Sequence, residues 1–284
     1  MTSSRVLNWL IKIYLMGKYR LKNFFFKTSI VSKLPVVVSL TSYGERVDKV
    51  FYTIESISNG EILPCRMILW LDNEHQFNHL PASLKRLQKR GLEIFLTKNY
   101  GPHTKYYPYL ESVEHHSFPL VTADDDIFYP NFWLKRLYQS YVITPTVVNC
   151  YRAHVVTLEE QKQEVRPFEF WRICISNEAS YLNQATGVSG VLYPPNLLNQ
   201  IKAAGDVFLS CCPNADDIWL HVCALRNGYQ VKQIHAVAYH FLTLPFTQKN
   251  GLFNANIFQG LNDKQAKMTY ETLDINVLKQ DLIH

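Results

Sequence analysis

Val121-Thr122-Ala123-Asp124-Asp125-Asp126-Ile127-Phe128-Tyr129-Pro130 is the stretch whose reading decides the fold. An apolar run, Phe118 to Ala123, stops abruptly at three consecutive carboxylates. A buried strand that runs into clustered acids places them at the mouth of a sheet, and open α/β folds bind ligands at that edge. Three adjacent negative charges repel, so the cluster calls for a cation, a helix N-terminus or water. Hard dications such as Mg²⁺ and Mn²⁺ take one or two carboxylates together with substrate phosphates. The structural alternative is that Asp125 or Asp126 caps a helix opening at Pro130.

Upstream, strand and helix patterns alternate. Pro35 to Ser42 reads as a buried strand, Val47 to Ser58 as a helix and Arg66 to Leu71 as a strand ending at Asp72. Ala82 to Arg90 follows as a helix closed by Gly91, Leu92 to Leu96 as a strand and Lys105 to His115 as a helix. Alternation of this kind predicts a mostly parallel sheet with helices on both faces. Its strand C-termini share one rim, which holds Thr41, Ser42, Asp72 and the acid triplet. Beyond Asn131 the pattern loosens. Phe132 to Tyr141 reads as a helix, Thr146 to Tyr151 as a strand, Ala215 to Arg226 as a helix beginning with Asp216-Asp217, and Gln230 to Val237 as a strand. Ala153 to Asn183 has no clean period. Gly187-Val-Ser-Gly190-Val-Leu-Tyr-Pro194-Pro195 reads as a turn-rich segment that lets backbone approach a ligand closely.

At 284 residues and 47% hydrophobic, the chain can build one large α/β domain without metal or disulfide staples. Its six cysteines form no C-x-x-C pair and read as reduced, buried thiols of a cytoplasmic protein. Of the net charge of +5, seven positive charges precede the first acid, Glu45, so the remainder nets −2. A nucleic-acid footprint on the main domain is therefore not expected. Residues 1–33 form a basic, aromatic leader. Its apolar stretch, Val6 to Met16, is too short to span a bilayer. Interleaved Lys, Arg, Trp, Tyr and Phe suit an interfacial helix on anionic lipid; docking on the protein's own body is the alternative.

Several motifs in order carry a resemblance. They are Val38-Ser-Leu-Thr41-Ser42-Tyr43 with Arg46, Thr53-Ile-Glu55-Ser56-Ile57, Ile68-Leu-Trp70-Leu71, Gly101-Pro102 with Lys105, Thr122 to Pro130, Ala215-Asp216-Asp217-Ile-Trp219-Leu220, Gln248, and Asn262-Asp263. Together, over roughly residues 35–265, they resemble bacterial polysaccharide-type glycosyltransferases of family 2-like GT-A fold. The resemblance implies an α/β GT-A domain over residues 34–284, with a donor half to about 150 and an acceptor half from about 151. It implies transfer of a sugar from a nucleotide-diphosphate donor, most simply a UDP-sugar, to a saccharide or lipid-linked saccharide. The implied setting is capsule or lipopolysaccharide synthesis at the inner face of the cytoplasmic membrane.

The resemblance also implies roles. Asp126 with Asp124 would hold Mn²⁺ or Mg²⁺, Asp124 and Asp125 would face the ribose or metal, and Lys105 would pair with phosphate. Thr41, Tyr43 and Arg46 would bind the nucleobase, with Asp72 on the same rim. Asp217, or Asp216 beside it, would be the base of an inverting transfer, kept ionised by a helix N-terminus. Trp219 is either a sugar platform or core. His235 and His240 are late histidines of the kind that can complete a metal shell, and are assigned no ligand role. A sugar nucleotidyltransferase would need a glycine-rich phosphate loop, and Thr41 to Lys49 holds one glycine. A metal phosphohydrolase would need more histidines beside the acids, and a carbohydrate-binding protein would not need the acids at all.

Overall fold

The structure, a computed structural model, describes residues 3–159, 163–245, 247 and 260–282; Gln248 lies outside them. Eight strands form the central sheet: β1 (Leu34–Thr41), β2 (Pro64–Leu71), β3 (Leu92–Leu96), β4 (Leu120–Ala123), β5 (Val148–Cys150), β6 (Ala179–Ser180), β7 (Val191–Tyr193) and β8 (Val231–Gln233). Their order is β6-β8-β5-β7-β4-β1-β2-β3. β1 runs parallel to β2 and β4, β2 to β3, and β8 to β5. β7 is antiparallel to both its neighbours, and β6 to β8. The expected mostly parallel sheet is present.

Side chains alternate across a strand, so each inner strand feeds two cores. Val37, Ile68, Trp70, Leu120 and Val191 pack on one face. Val36, Val38, Leu40, Met67, Leu69, Val121 and Leu192 pack on the other. Burial on both faces is why these strands read as unbroken apolar runs. Among the described residues, the helices of seven residues or more are α1 (Ser3–Phe25), α2 (Val50–Ile57), α3 (Ala82–Gln88), α4 (Trp133–Ile143), α5 (Pro195–Ala203), α6 (Asp216–Arg226), α7 (Leu261–Thr269) and α8 (Thr272–Asp281). α5 and α6 cover the first face, and α2, α3 and α4 the second.

Pro130 does not open a helix. Trp133 donates its N–H to the Pro130 carbonyl at 3.0 Å, and α4 starts only there. Between them and the acids, Ile127–Phe128 pairs antiparallel with Leu242–Thr243. The triplet therefore ends a strand and enters another, and the helix-cap alternative has no helix to cap. Lys105 likewise ends a 3-10 turn, Gly101–Lys105, and the helix expected over Lys105 to His115 is present only as Tyr107–Ser112.

The leader is one helix with two environments. Toward its C-terminus, Tyr19 and Asn23 are buried. Asn23 donates to Glu55 at 3.0 Å, Lys22 donates to Ser58 at 2.9 Å, and Arg86 donates to Asn23 at 2.9 Å. Glu55, fully buried on α2, is also paired with Arg90. A buried carboxylate needs cations and donors around it, and α1 supplies two of them. Toward its N-terminus, residues 5–11 are exposed on every side of the helix. Among the described residues no helix is long and apolar enough to cross a membrane.

Candidate active site

Leu40 of β1 pairs with Ala123 of β4, so the next residues of both strands leave the sheet side by side. Ser42 donates to the Asp125 carboxylate at 2.6 Å, and Thr53 donates to the Asp125 carbonyl at 2.9 Å. Arg46, on the 3-10 turn after β1, lies 3.0 Å from Asp125 and pairs with Asp126 as well. Both carboxylates are 5% exposed. Burial pushes Asp125 up to about 7, although Arg46 and Ser42 pull it down. Burial also raises Asp126 against the pull of Arg46.

Asp124 points elsewhere. Its N–H donates to the Tyr129 hydroxyl at 3.0 Å, and its side chain keeps 30% exposure. Lys105 donates to it at 3.1 Å and lies 2.9 Å from Asp216. The Lys105 carbonyl accepts from Ser39 at 2.7 Å, and Ser39 in turn accepts from Trp70 at 2.9 Å. Two strands thereby fix the lysine's backbone. Burial alone would lower the Lys105 pKa, but Asp124, Asp216 and Asp217 outweigh it and raise it, so the ammonium stays charged.

Asp216 and Asp217 are the first residues of α6, after Ala215 as its N-cap, so neither is the cap itself. Asp217 instead accepts the Gly187 N–H on both oxygens, at 3.0 and 3.1 Å. Burial first, then Asp216, push its pKa up; Lys105 and the Gly187 N–H oppose them and lose. The expected lowering by the helix N-terminus is overridden by desolvation, which grows with burial while the dipole effect stays near 1 kcal/mol.

All ten residues singled out by sequence (Thr41, Tyr43, Arg46, Asp72, Lys105, Asp124, Asp125, Asp126, Asp216 and Asp217) line one cavity of about 820 Å³. Tyr43, 39% exposed, stands at its mouth with the Arg46 guanidinium 5.5 Å from its ring. His240 also lines it, whereas His235 sits 3.5 Å from Arg136, outside the lining. Trp219 is 2% exposed and belongs to the core. The lining also includes Arg152, His154, Phe168 and Gln184, which sequence reading did not pick. They lie in or next to the stretch without a clean period, where short strands, Ala153–Val155, Arg172–Ile173 and Asn183–Ala185, form a small separate sheet.

A divalent cation can be tested against these groups. The described lining holds six aspartates against Lys105, Arg46 and Arg152, a strongly acidic balance. No group of three or more His, Cys, Asp or Glu among the described residues is arranged to hold a metal. Mg²⁺ or Mn²⁺ bound with a nucleotide needs only one or two protein carboxylates. Asp124, whose side chain keeps 30% exposure, meets that smaller requirement. The donor set fits a hard cation that arrives with phosphate.

No family model and no curated protein sequence matches the chain. Solved structures do. TarS 1-349 of S. aureus in complex with UDP-GlcNAc is 13% identical, with a TM-score of 0.52 over 88% of this chain and 72% of that one. A second structure of TarS 1-349 is 12% identical, with a TM-score of 0.50 over 88% and 71%. Mannosyltransferase PcManGT of Pyrobaculum calidifontis, in complex with GDP-Man and Mn²⁺, is 13% identical, with a TM-score of 0.46 over 79% of this chain and 66% of that one. The chain thus spans slightly less than two thirds of PcManGT's length. Such identities speak for architecture alone: the chain has an α/β fold of GT-A type.

Proposed function

We propose that this protein is a glycosyltransferase that moves a sugar from a nucleotide-diphosphate donor to a saccharide or lipid-linked saccharide acceptor. The observation that carries this reading is the Lys105 ammonium between Asp124, at the end of β4, and Asp216, at the start of α6. It joins a phosphate-and-cation end of the cavity to a buried carboxylate pair. Tyr43 and Thr41, with Asp72, offer an aromatic ring and polar groups for the nucleoside. Arg46 and Lys105 are the cations nearest a diphosphate. Asp124, with Asp126, would hold Mn²⁺ or Mg²⁺, which when bound supplies positive charge to the leaving diphosphate.

Asp217 is the proposed base. Its raised pKa makes it a stronger proton acceptor than an ordinary carboxylate. It takes the proton of the acceptor hydroxyl while that oxygen bonds to the anomeric carbon. The bond from the anomeric carbon to the diphosphate oxygen breaks, and nucleoside diphosphate leaves. One displacement inverts the anomeric centre. Incubation with a panel of nucleotide-sugars, with Mn²⁺, Mg²⁺ or chelator, tests the reading. Release of nucleoside diphosphate is expected, with a product of inverted configuration; release of pyrophosphate would identify a nucleotidyltransferase, and binding without turnover a carbohydrate-binding protein.

Peripheral membrane contact through α1 belongs to the same reading. It is supported by the exposed Leu7, Trp9, Leu10, Ile13 and Tyr14 on the projecting part of the helix, among basic residues and no acid. Flotation with anionic vesicles checks it: the full chain should bind, and Trp9→Glu with Leu10→Glu should not. Equal flotation of both would remove the membrane role.

A further inference from the structure

Around the paired short strands Ala153–Val155 and Asn183–Ala185 the cavity lining carries polar atoms that the proposed transfer does not use. Gln184 is 1% exposed yet lines the cavity, and its Oε1 is buried with no hydrogen-bond partner among the described residues. His154 Nδ1 and Asn262 Oδ1 line the same cavity in the same condition. A buried polar atom left unpaired costs about 1–3 kcal/mol. Turned toward the cavity that their residues line, these three atoms would meet the hydroxyl groups of a ligand filling it. Two of them are amide oxygens, which take O–H donors. Burial and the neighbouring Arg152 lower His154 to about 4, so its ring is neutral and offers one donor and one acceptor.

Phe168 stands beside them as an apolar surface. Its N–H donates to Asp263 at 2.7 Å, and its ring meets His154 edge-on at 5.2 Å and Trp171 at 5.2 Å. Asp263 is thereby committed to holding the aromatic residue. Arg152 belongs to the same lining. It makes no ion pair among the described residues, burial lowers its pKa, and His240 titrates lower partly because of it. Arg152 thus acts on both His154 and His240, in a lining whose negative charge is carried by six aspartates.

We infer that Arg152, His154, Phe168, Gln184 and Asn262 form an acceptor subsite for an acidic saccharide, with Arg152 reading its carboxylate or phosphate. This rests on the glycosyltransferase reading for the word acceptor, but binding at the subsite does not require turnover. The anion at Arg152 has two possible sources, the acidic sugar or the donor diphosphate, and the test separates them.

The full chain is applied to immobilised oligosaccharides in matched pairs, each uronate, sialate or phosphosugar beside its carboxyl-reduced or dephosphorylated form. UDP affinity is measured in parallel by calorimetry, and folding of each variant by its thermal midpoint. The acidic members should be retained preferentially. Arg152→Gln should weaken them roughly tenfold and erase the preference, while Gln184→Leu should weaken both members of each pair. UDP affinity should hold within about twofold in both variants. Retention without acidic preference, or retention unmoved by Arg152→Gln, would overturn the subsite. Loss of UDP binding in Arg152→Gln with saccharide retention intact would assign the arginine to the donor and also overturn it. Acidic retention without nucleoside diphosphate release would leave the subsite standing and remove the transferase reading. Turnover with neutral acceptors only would do the reverse.

Discussion

Lys105 Nζ lies 2.9 Å from the Asp216 carboxylate and 3.1 Å from that of Asp124, so one buried ammonium serves two chain segments that meet only in the folded protein. Removing it leaves Asp124, Asp216 and Asp217 facing one another without their shared counter-charge. Lys105→Met should destabilise the fold by about 3–5 kcal/mol, the usual effect of leaving a buried charge unpaired. Chemical denaturation at neutral pH checks this; a loss below 1 kcal/mol would mean that water, not Lys105, solvates the acids.

The pH dependence of turnover follows from Asp217. Its pKa is raised in the folded protein, so the ionised, proton-accepting form appears only above the ordinary carboxylate range. The rate should therefore fall on acidification at a pH well above 4, and rise as pH increases through that displaced value. Asp217→Asn should cut kcat by about 10²–10⁴-fold and abolish this limb. An unchanged acidic limb in the variant would move the base elsewhere.

Two glycines in one turn separate catalysis from folding. A Cβ on Gly187 would come within 2.7 Å of Lys105 Nζ and 3.1 Å of Asp217 Oδ1, and the flexible end of the lysine can give way. Gly187→Ala should keep the fold but lower turnover by up to about 10²-fold through misplacement of both groups. At Gly190, φ is +97° and a Cβ would meet the Trp133 ring at 2.6 Å. The ring is buried and held by its N–H bond to the Ser189 carbonyl at 2.9 Å. Gly190→Ala should instead lose about 1–3 kcal/mol of stability. Thermal midpoints and kcat measured on both variants check the split.

Cation binding should distinguish the members of the acid triplet. Asp124→Ala should weaken Mn²⁺ binding in the presence of UDP, read by paramagnetic resonance, with little change in stability. Asp125→Ala should spare the metal and strip Arg46 of one of its two carboxylates, lowering the thermal midpoint. The opposite ranking would place the cation deeper, on the Arg46 side.

Local chemistry made much of this legible from the chain alone. The β1, β2 and β4 runs match within about two residues because strands buried on both faces are continuously apolar, and the edge strand β3 matches although Phe95 and Leu96 are exposed. The region of residues 153–183 was not readable. Its strands are two or three residues long, too short to show a period, and their pairing partners lie far along the chain. Arg152, His154 and Gln184 therefore gave no signal, although they line the same cavity as the aspartates.

What the sequence by itself determined is the α/β alternation and the meeting of Asp124, Asp125, Asp126, Thr41 and Asp72 on one rim. Both follow from short-range periodicity and from β1, β2 and β4 running parallel. Only the tertiary structure decided which charges neutralise each other. Arg46 and Asp126 are 80 residues apart, and the pairing of Lys105 with Asp216 depends on where α6 docks. It also decided the direction in which Asp217 titrates, since burial is a property of the packed molecule and outweighs the helix terminus that the sequence displays.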